Sequence, residues 1–195
     1  MLDAAMKSNI LTTVILLGSV WLPTPVKALN PAHLEQLRQT GSCVECNLSG
    51  AQLPEALLSN TDLRRANLTG ANLMGADLRR ANLSGANLAG ASLVNANLSG
   101  ANLTQSNLIV AALIKANLTG ANLAGAGLSR ALLVGANLAG ADLRETDLTS
   151  ADLREANLNS ADLRGADLRK ADLENVIIKD AKLSSAIMPD GTLSP

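Results

Sequence analysis

Cys43 and Cys46 are the residues of this chain with the clearest capacity for chemistry, since a C-x-x-C spacing suits redox exchange, metal binding or a disulfide. Redox pairs sit at the start of a helix, where the thiolate is stabilised, but this pair follows a predicted helix. Structural zinc needs about four ligands, and the sequence offers these two cysteines and a single histidine, His33. A structural disulfide is therefore the preferred interpretation. Two reduced, buried thiols remain the alternative, and no metal or cofactor is expected.

The carboxylates form a regular series, unlike the paired acids of an enzyme, which face a cleft and differ in environment. Serine and threonine are abundant, but no second histidine is present to act as a base, and His33 is expected to face solvent. Evenly interleaved charges are typical of a solvated surface. The sequence thus predicts no catalytic residues and no enzyme activity. The series comprises Asp142, Asp147, Asp152, Asp162, Asp167 and Asp172, interleaved with Arg144, Arg154, Arg164 and Arg169.

Composition excludes further classes of function. Trp21 is the only aromatic residue among 195, although 47% of the chain is hydrophobic. Proteins that bind single-stranded nucleic acids need aromatic stacking platforms, and a phosphate-binding surface needs excess basic residues. Here 16 basic residues face 17 acidic ones, for a net charge of −1. No nucleic-acid partner is expected, and the high hydrophobicity argues against disorder.

The first 28 residues have the pattern of a secretory signal peptide. Lys7 precedes the apolar run from Ile10 to Leu22, which is too short for a membrane span of about 20 residues and suits a signal h-region. Val26 and Ala28 suit the −3 and −1 positions of a cleavage site. We therefore expect cleavage after Ala28, export, and no stable membrane anchor after cleavage.

The remainder of the chain is one repeat with a period of five. Every fifth residue from Leu48 to Leu183 is Leu, apart from Ile178, and the residue two before it is nearly always Ala. The unit reads A-(N/D)-L-x-x, as in Ala71–Gly75. Five matches neither the helical period of 3.6 nor the strand period of 2. An unbroken register at this period predicts a solenoid.

This pattern resembles the pentapeptide-repeat family. The resemblance implies an all-β fold, a right-handed quadrilateral β-helix of about seven coils in which Leu and Ala point inward. Asn30, Pro31 and Gly41 suit the N-cap, first position and C-terminal stop of a short capping α-helix. The conformation of 174–195 stays open, as a last irregular coil or a short helix. The predicted organisation is a signal peptide (1–28), a capping helix (29–42), a repeat β-helix (43–185) and a C-terminal capping tail (186–195).

One surface feature is not explained by the repeat. Lys115 is the only charged residue from Ala81 to Ser129, and large aliphatic side chains occupy outward positions within this neutral zone and on the repeats that flank it. A continuous apolar patch marks an interface more often than scattered residues do. We therefore predict a contact with an unknown protein partner, or self-association, through the apolar strip, which is formed by Met74, Val94, Ile109, Val110, Ala112, Ile114, Leu132 and Val134.

Two classes of function follow. The first is a non-catalytic exported scaffold or protein-interaction module in the periplasm or, for a cyanobacterial source, the thylakoid lumen. Met188-Pro189-Asp190-Gly191 resembles closing segments of cyanobacterial members of the family. The alternative is a DNA mimic that inhibits a topoisomerase, as some relatives do. That function needs a strongly negative surface, whereas the net charge here is near zero.

Overall fold

The repeats stack into coils of twenty residues. The computed structural model describes residues 30–195, and the predicted signal peptide lies outside them. From Ser42 onward, the Asn/Asp position of each repeat pairs in parallel with the residue twenty positions later, and the last such pair joins Asp167 to Ile187. Each coil therefore has four sides, one per repeat, and the predicted solenoid is confirmed. In residues 30–195 each side pairs through one residue, and no longer strand forms.

Backbone hydrogen bonds hold consecutive coils together. The N–H of Leu48 donates to the carbonyl of Asn67 at 2.7 Å, and the N–H of Asn67 donates back to the carbonyl of Cys46 at 2.8 Å. Within each repeat a tight turn follows, in which the N–H of Ala51 donates to the carbonyl of Leu48 at 3.0 Å. Each side of an inner coil thus pairs backbone polar groups with the coils above and below it, as burial requires.

Each corner places one residue in the left-handed region. The fifth residue of every repeat from Glu45 to Ser185 has a positive φ. Glycine adopts this conformation without a steric penalty, and many corners use it, for example Gly75 at φ 67°. Eighteen corners carry a side chain instead, so the stacked repeat imposes the turn even where the residue type resists it.

The core is a column of Leu and Ala. From Leu48 to Leu168 the central Leu residues are at most 3% exposed, and the inward Ala residues, two positions before each central Leu from Ala51 to Ala171, are at most 7% exposed. The predicted inward positions are therefore confirmed, and so narrow an interior leaves no room for aromatic rings. Where Thr61, Ser106 and Thr146 replace Ala, each hydroxyl donates to the carbonyl three residues earlier, at 2.6–2.7 Å.

A single helix covers the N-terminal end of the stack. Helix α1 spans Pro31–Thr40 and has the cap residues that the sequence predicts. The side chain of Asn30 accepts the N–H of Ala32, and Gly41 (φ 66°) donates its N–H to the carbonyl of Leu37. Leu37 is 1% exposed and joins the core, so α1 covers the first coil through its apolar face.

The C-terminal end closes without a helix, which answers the question left open for 174–195. The parallel register extends to Ile187, and the chain then reverses so that Leu193 pairs with Ile187 in antiparallel fashion. The N–H of Ser194 donates to the carbonyl of Ala186 at 2.8 Å. Leu193 stays 68% exposed and Ile177 52% exposed. The two ends of the stack therefore differ in how they are covered.

Candidate interaction surface

The apolar strip forms on one face and its adjoining corner. Backbone bridges place Ala112 above Ser92 and Leu132 above Ala112. The carbonyls of Val94, Ile114 and Val134 each accept a backbone N–H from the coil below. Because both sets stack in register, the residues of the strip lie on neighbouring coils at about the spacing of paired strands, roughly 4.8 Å.

The strip is less exposed than its sequence suggests. Four of its members are exposed, by 41–53%: Met74, Ile109, Val110 and Leu132. The other four are half-buried: Val94, Ala112, Ile114 and Val134. The strip is therefore exposed in half of its members and half-buried in the others. Stacked neighbours above and below cover part of each aliphatic side chain, so the surface contains half-buried side chains with exposed ones at its edge.

The corner at Ile109 and Val110 is the most unusual part of this surface. Gly127 stands where the stacked repeats carry Asn or Asp, and a Cβ there would lie 3.8 Å from Cγ1 of Ile109. The side chain of Ile109 therefore lies beside Gly127 of the next coil, which has no side chain. Val110 has a φ of 59°, a conformation that a β-branched residue adopts only under strain. Val110 is also 53% exposed, so this strain is not offset by full burial.

The charged residues around this surface are paired in a regular way. In each pair an Asp carboxylate accepts a two-pronged hydrogen bond from the Arg two residues later, as in Arg164 Nε to Asp162 Oδ1 at 2.8 Å and Nη2 to Oδ2 at 2.7 Å. This hydrogen bond lowers the pKa of the Asp162 carboxyl to about 2. The same arrangement recurs at Asp62–Arg64, Asp77–Arg79, Asp142–Arg144, Asp152–Arg154 and Asp167–Arg169. Most of the predicted interleaved charges therefore form local ion pairs, whereas Asp147 accepts the backbone N–H of Thr149 at 2.9 Å.

The side chains of the stacked Asn residues form hydrogen bonds mainly within their own repeat. The side-chain oxygen of Asn102 accepts the backbone N–H of Thr104 at 3.1 Å, and Asn82 does the same with Ser84 at 3.2 Å. Hydrogen bonds between side-chain amides of successive coils also occur, as from Nδ2 of Asn157 to Oδ1 of Asn137 at 3.2 Å. The Asn residues thus serve the turn at most positions and the ladder between coils at some.

Cys43 and Cys46 lie where α1 meets the first coil and are joined by a disulfide, with their Cα atoms 5.2 Å apart. Both are buried. His33 does not face solvent as expected. It is half-buried, and its Nδ1 accepts the backbone N–H of Asn47 at 2.8 Å. Sequence reasoning missed this role; the available signal was that Asn47 belongs to the first coil and has no coil below it.

Among residues 30–195, no group of three or more His, Cys, Asp and Glu side chains is arranged to hold a metal ion. In that same range no helix has the length and apolarity needed to cross a membrane. The distinctive features of the described surface are thus the apolar strip and the junction between α1 and the first coil.

Comparison with known proteins gives consistent results. A family model described as "Pentapeptide repeats" matches the chain in eight copies, over residues 42–80, 71–108, 81–120, 111–149 and 151–188. No curated protein matches significantly. Among solved structures, the chain is 33% identical to HetL, a pentapeptide repeat protein involved in heterocyst differentiation regulation from the cyanobacterium Nostoc sp. strain PCC 7120. This match covers 78% of this chain and 91% of HetL, with a TM-score of 0.42.

Two further solved structures are similar. One is a pentapeptide repeat protein from the Arabidopsis thaliana thylakoid lumen, at 34% identity over 50% of this chain and 65% of that protein, with a TM-score of 0.38. The other is trypsin-treated QnrB1, a plasmid-mediated fluoroquinolone resistance protein. It is 22% identical over 72% of this chain and 80% of its own, with a TM-score of 0.45.

Proposed function

The chain belongs to the pentapeptide-repeat family, and from this premise we propose that it is a non-catalytic scaffold that binds a protein partner, or a second copy of itself, through the apolar strip. The fold of this family is a right-handed quadrilateral β-helix, and the twenty-residue, four-sided coil agrees with it. The stacked sides formed by residues 42–187 are continuous surfaces that a protein partner can contact.

The observation that carries this proposal is the corner at Val110. A left-handed backbone costs roughly 1–2 kcal/mol for a residue with a Cβ, and an exposed aliphatic side chain gains little from burial. Val110 carries both disadvantages, next to exposed Ile109. Gly, which many other corners use, would remove both disadvantages, and Asn would lower the strain. Strain of this kind persists at sites of function, and a partner that covered Val110 would supply the missing burial.

The test uses charged substitutions at exposed positions, where the fold itself is not disturbed. Ile109→Asp and Leu132→Asp place carboxylates within the strip. Ile177→Asp is the matched control, because Ile177 is exposed by a similar fraction in the last coil, outside the strip. We expect the two strip variants to lose partner capture from extract, or to lower the mass found by light scattering, while the control does neither. Unchanged mass and unchanged partners in the strip variants would refute the proposal.

Export is part of the same proposal. It is supported by the signal-like segment 1–28 and by the disulfide between Cys43 and Cys46, since disulfides persist in oxidising compartments. The periplasm is the expected location, or the thylakoid lumen for a cyanobacterial source. Cell fractionation with N-terminal sequencing tests this. Protein found in the cytosol with residues 1–28 intact would contradict it.

DNA mimicry is a less suitable function for this surface. A mimic of the phosphate backbone needs unpaired negative charge along one face. The carboxylates of Asp142, Asp152 and Asp162 are each held by an arginine two residues away, so these three pairs carry little net charge. A gyrase supercoiling assay with the purified chain should show no inhibition. Inhibition at micromolar concentration would favour the topoisomerase function instead.

A further inference from the structure

The apolar interior of the stack is uncovered at its C-terminal end. At the N-terminal end, α1 lies over the first coil, and the inward Leu residues from Leu48 to Leu58 are at most 3% exposed. In the last coil the inward residues Leu173 and Leu183 are only half-buried, and inward Ile178 is 36% exposed. The two ends therefore differ in the exposure of the core itself.

The same end has unpaired backbone groups on three of its four sides. In lower coils each inward residue donates its N–H to the coil above. On the fourth side, a closing segment (residues 192–194) lies over Ile187. The end therefore has a raised side, residues 186–190, and the side opposite to it, residues 176–180, is open. The inward residues whose N–H has no acceptor within residues 30–195 are Leu173, Ile178 and Leu183.

The closing segment has backbone groups that the chain itself does not use. The hydrogen bonds beside the Leu193–Ile187 pair are donated by Ser194 at 2.8 Å and by Met188 at 2.7 Å. In an antiparallel pair flanked in this way, the N–H and C=O of the two facing residues point away from each other. Within residues 30–195, neither the N–H nor the C=O of Leu193 has a partner. Leu193 therefore presents a donor and an acceptor beyond the end of the stack.

We propose that two copies of the chain join end to end about a twofold axis, and that Leu193 of each copy closes the open side of the other. The axis crosses the end through the sides 171–175 and 181–185. It exchanges the raised and open sides, so the raised side of each copy lies on the open side of its mate, as a self-complementary twofold contact requires. An axis through the raised and open sides would instead set the two raised sides against each other and keep the open sides apart.

The direction of the chain agrees with this arrangement. The closing segment runs antiparallel to the side at Ile187 that it covers. The proposed axis reverses the sense of the coil, so the raised side of the second copy runs antiparallel to the open side 176–180. The closing segment of the second copy therefore runs parallel to the open side, as successive coils do throughout the stack.

The backbone groups also match. Ile187 accepts an N–H from an inward residue of the coil below at 2.8 Å and donates to the carbonyl two residues before that residue at 2.9 Å. Leu193 of the second copy can repeat this pattern on the open side by accepting the N–H of Ile178 and donating to the carbonyl of Val176. That carbonyl has no other donor within residues 30–195. Each closing segment thus adds a side to the other stack.

The charges at this end favour a second copy over a strongly charged partner. Glu174 and Asp180 are balanced by Lys179 and Lys182, so the open part of the last coil is neutral and does not repel another copy of itself. Its inward residues are apolar, and the same residues of the second copy face them across the axis. Burial of apolar surface from both copies then adds to the backbone hydrogen bonds.

The outward side chains meet only at the rim of this contact. Leu193 is 68% exposed and would lie beside Ile177 of the second copy, which is 52% exposed. The stack already pairs a Leu with an Asp at such a position, Leu132 with Asp152. Because the pairing uses backbone groups, Ile177→Asp should leave the two copies joined.

Sedimentation equilibrium of the purified chain tests the proposal with Leu193→Pro. Proline lacks the N–H and places its ring there, and the fold does not use this N–H. Leu193→Val is the matched control, because it keeps both the N–H and an apolar side chain. The contact is confined to one end of the stack, so we expect the wild-type chain to form a dimer in the micromolar range. Leu193→Pro should raise the dissociation constant at least about thirtyfold, and Leu193→Val less than about threefold.

Hydrogen exchange of the wild-type chain gives a second test that needs no variant. The Ile178 amide should exchange more slowly as protein concentration rises, whereas the Leu173 amide, on a side that receives no closing segment, should not. A monomer up to about 500 μM, or an Ile178 amide whose exchange does not depend on concentration, would overturn the proposal. So would a dimer that is lost in Ile109→Asp, on the apolar strip, but kept in Leu193→Pro.

Discussion

Replacement of Val110 by Asn should stabilise the fold, although it removes an apolar side chain. Val110 is the one β-branched residue among the corners with positive φ in residues 30–195. Asn reaches the left-handed region far more readily than a β-branched residue does. The substitution therefore relieves strain at the backbone, and it removes a side chain of which about half is already exposed.

The magnitude follows from these two opposing effects. Relief of the left-handed strain contributes about 1–1.5 kcal/mol. Loss of the buried part of the Val110 side chain costs about 0.5–1 kcal/mol. The free energy of unfolding should therefore rise by about 0.5 kcal/mol. Val94→Asn is the matched control, since Val94 belongs to the same strip, is half-buried and does not have a positive φ. The control should lose about 1 kcal/mol, because it loses burial without relief of strain.

Equilibrium unfolding in guanidinium chloride, followed by circular dichroism, measures both variants under the same conditions. The difference between them is the informative quantity, and it should be about 1–2 kcal/mol in favour of Val110→Asn. If Val110→Asn lowers stability as much as Val94→Asn does, the corner is not strained and the central argument for the interaction surface fails. The same Val110→Asn variant should bind the partner of the strip more weakly despite its greater stability, as a stability–function trade-off predicts.

Further predictions concern the core, the disulfide and the ion pairs. Leu113→Ala should cost about 2–5 kcal/mol in chemical denaturation because Leu113 is fully buried, whereas Leu132→Ala, at a 41% exposed position, should cost less than about 1 kcal/mol. Removal of the disulfide by Cys43→Ser and Cys46→Ser should cost no more than about 2 kcal/mol, since the closed loop is short. Limited proteolysis should then cut first in α1. The Asp162 carboxyl, with its pKa lowered to about 2, stabilises the fold above about pH 4. This contribution to the free energy of unfolding is below about 1 kcal/mol, because the Arg164 side chain is half exposed. It should be lost as pH falls from about 4 to about 2. An NMR titration of wild type against Asp162→Asn measures it.

Most of the fold could be predicted from the sequence because the period of five is unbroken. Leu at every fifth position sets the register, and the repeat itself therefore fixes which positions are buried, as at Ala71 and Leu73. The closing pair of Ile187 with Leu193 could not be predicted, because the period ends before it. The partial burial of Val94 depends on neighbours twenty residues away on either side.

The candidate site was harder to predict than the fold. The apolar strip could be found because its residues break the polar pattern of the outward positions. The strain at Val110 could not be found from composition, since it requires the φ that each corner adopts. The contact between His33 and Asn47 joins an element outside the repeat to one inside it. No local pattern encodes such a contact, and it becomes visible only when the backbone partners of the first coil are counted.

Because one coil contains twenty residues, each five-residue repeat turns the chain by a quarter of a revolution about the axis of the stack. Deleting one five-residue repeat between Val110 and Leu132 would preserve every local turn and every inward Leu, yet it would turn all later residues by a quarter of a revolution. Leu132 and Val134 would then point in a different direction from Met74 and Val94, and the strip would be divided between two sides. Deleting twenty residues would instead shorten the stack and keep its directions. Variation of length in multiples of five can therefore re-aim a binding surface while the fold is preserved.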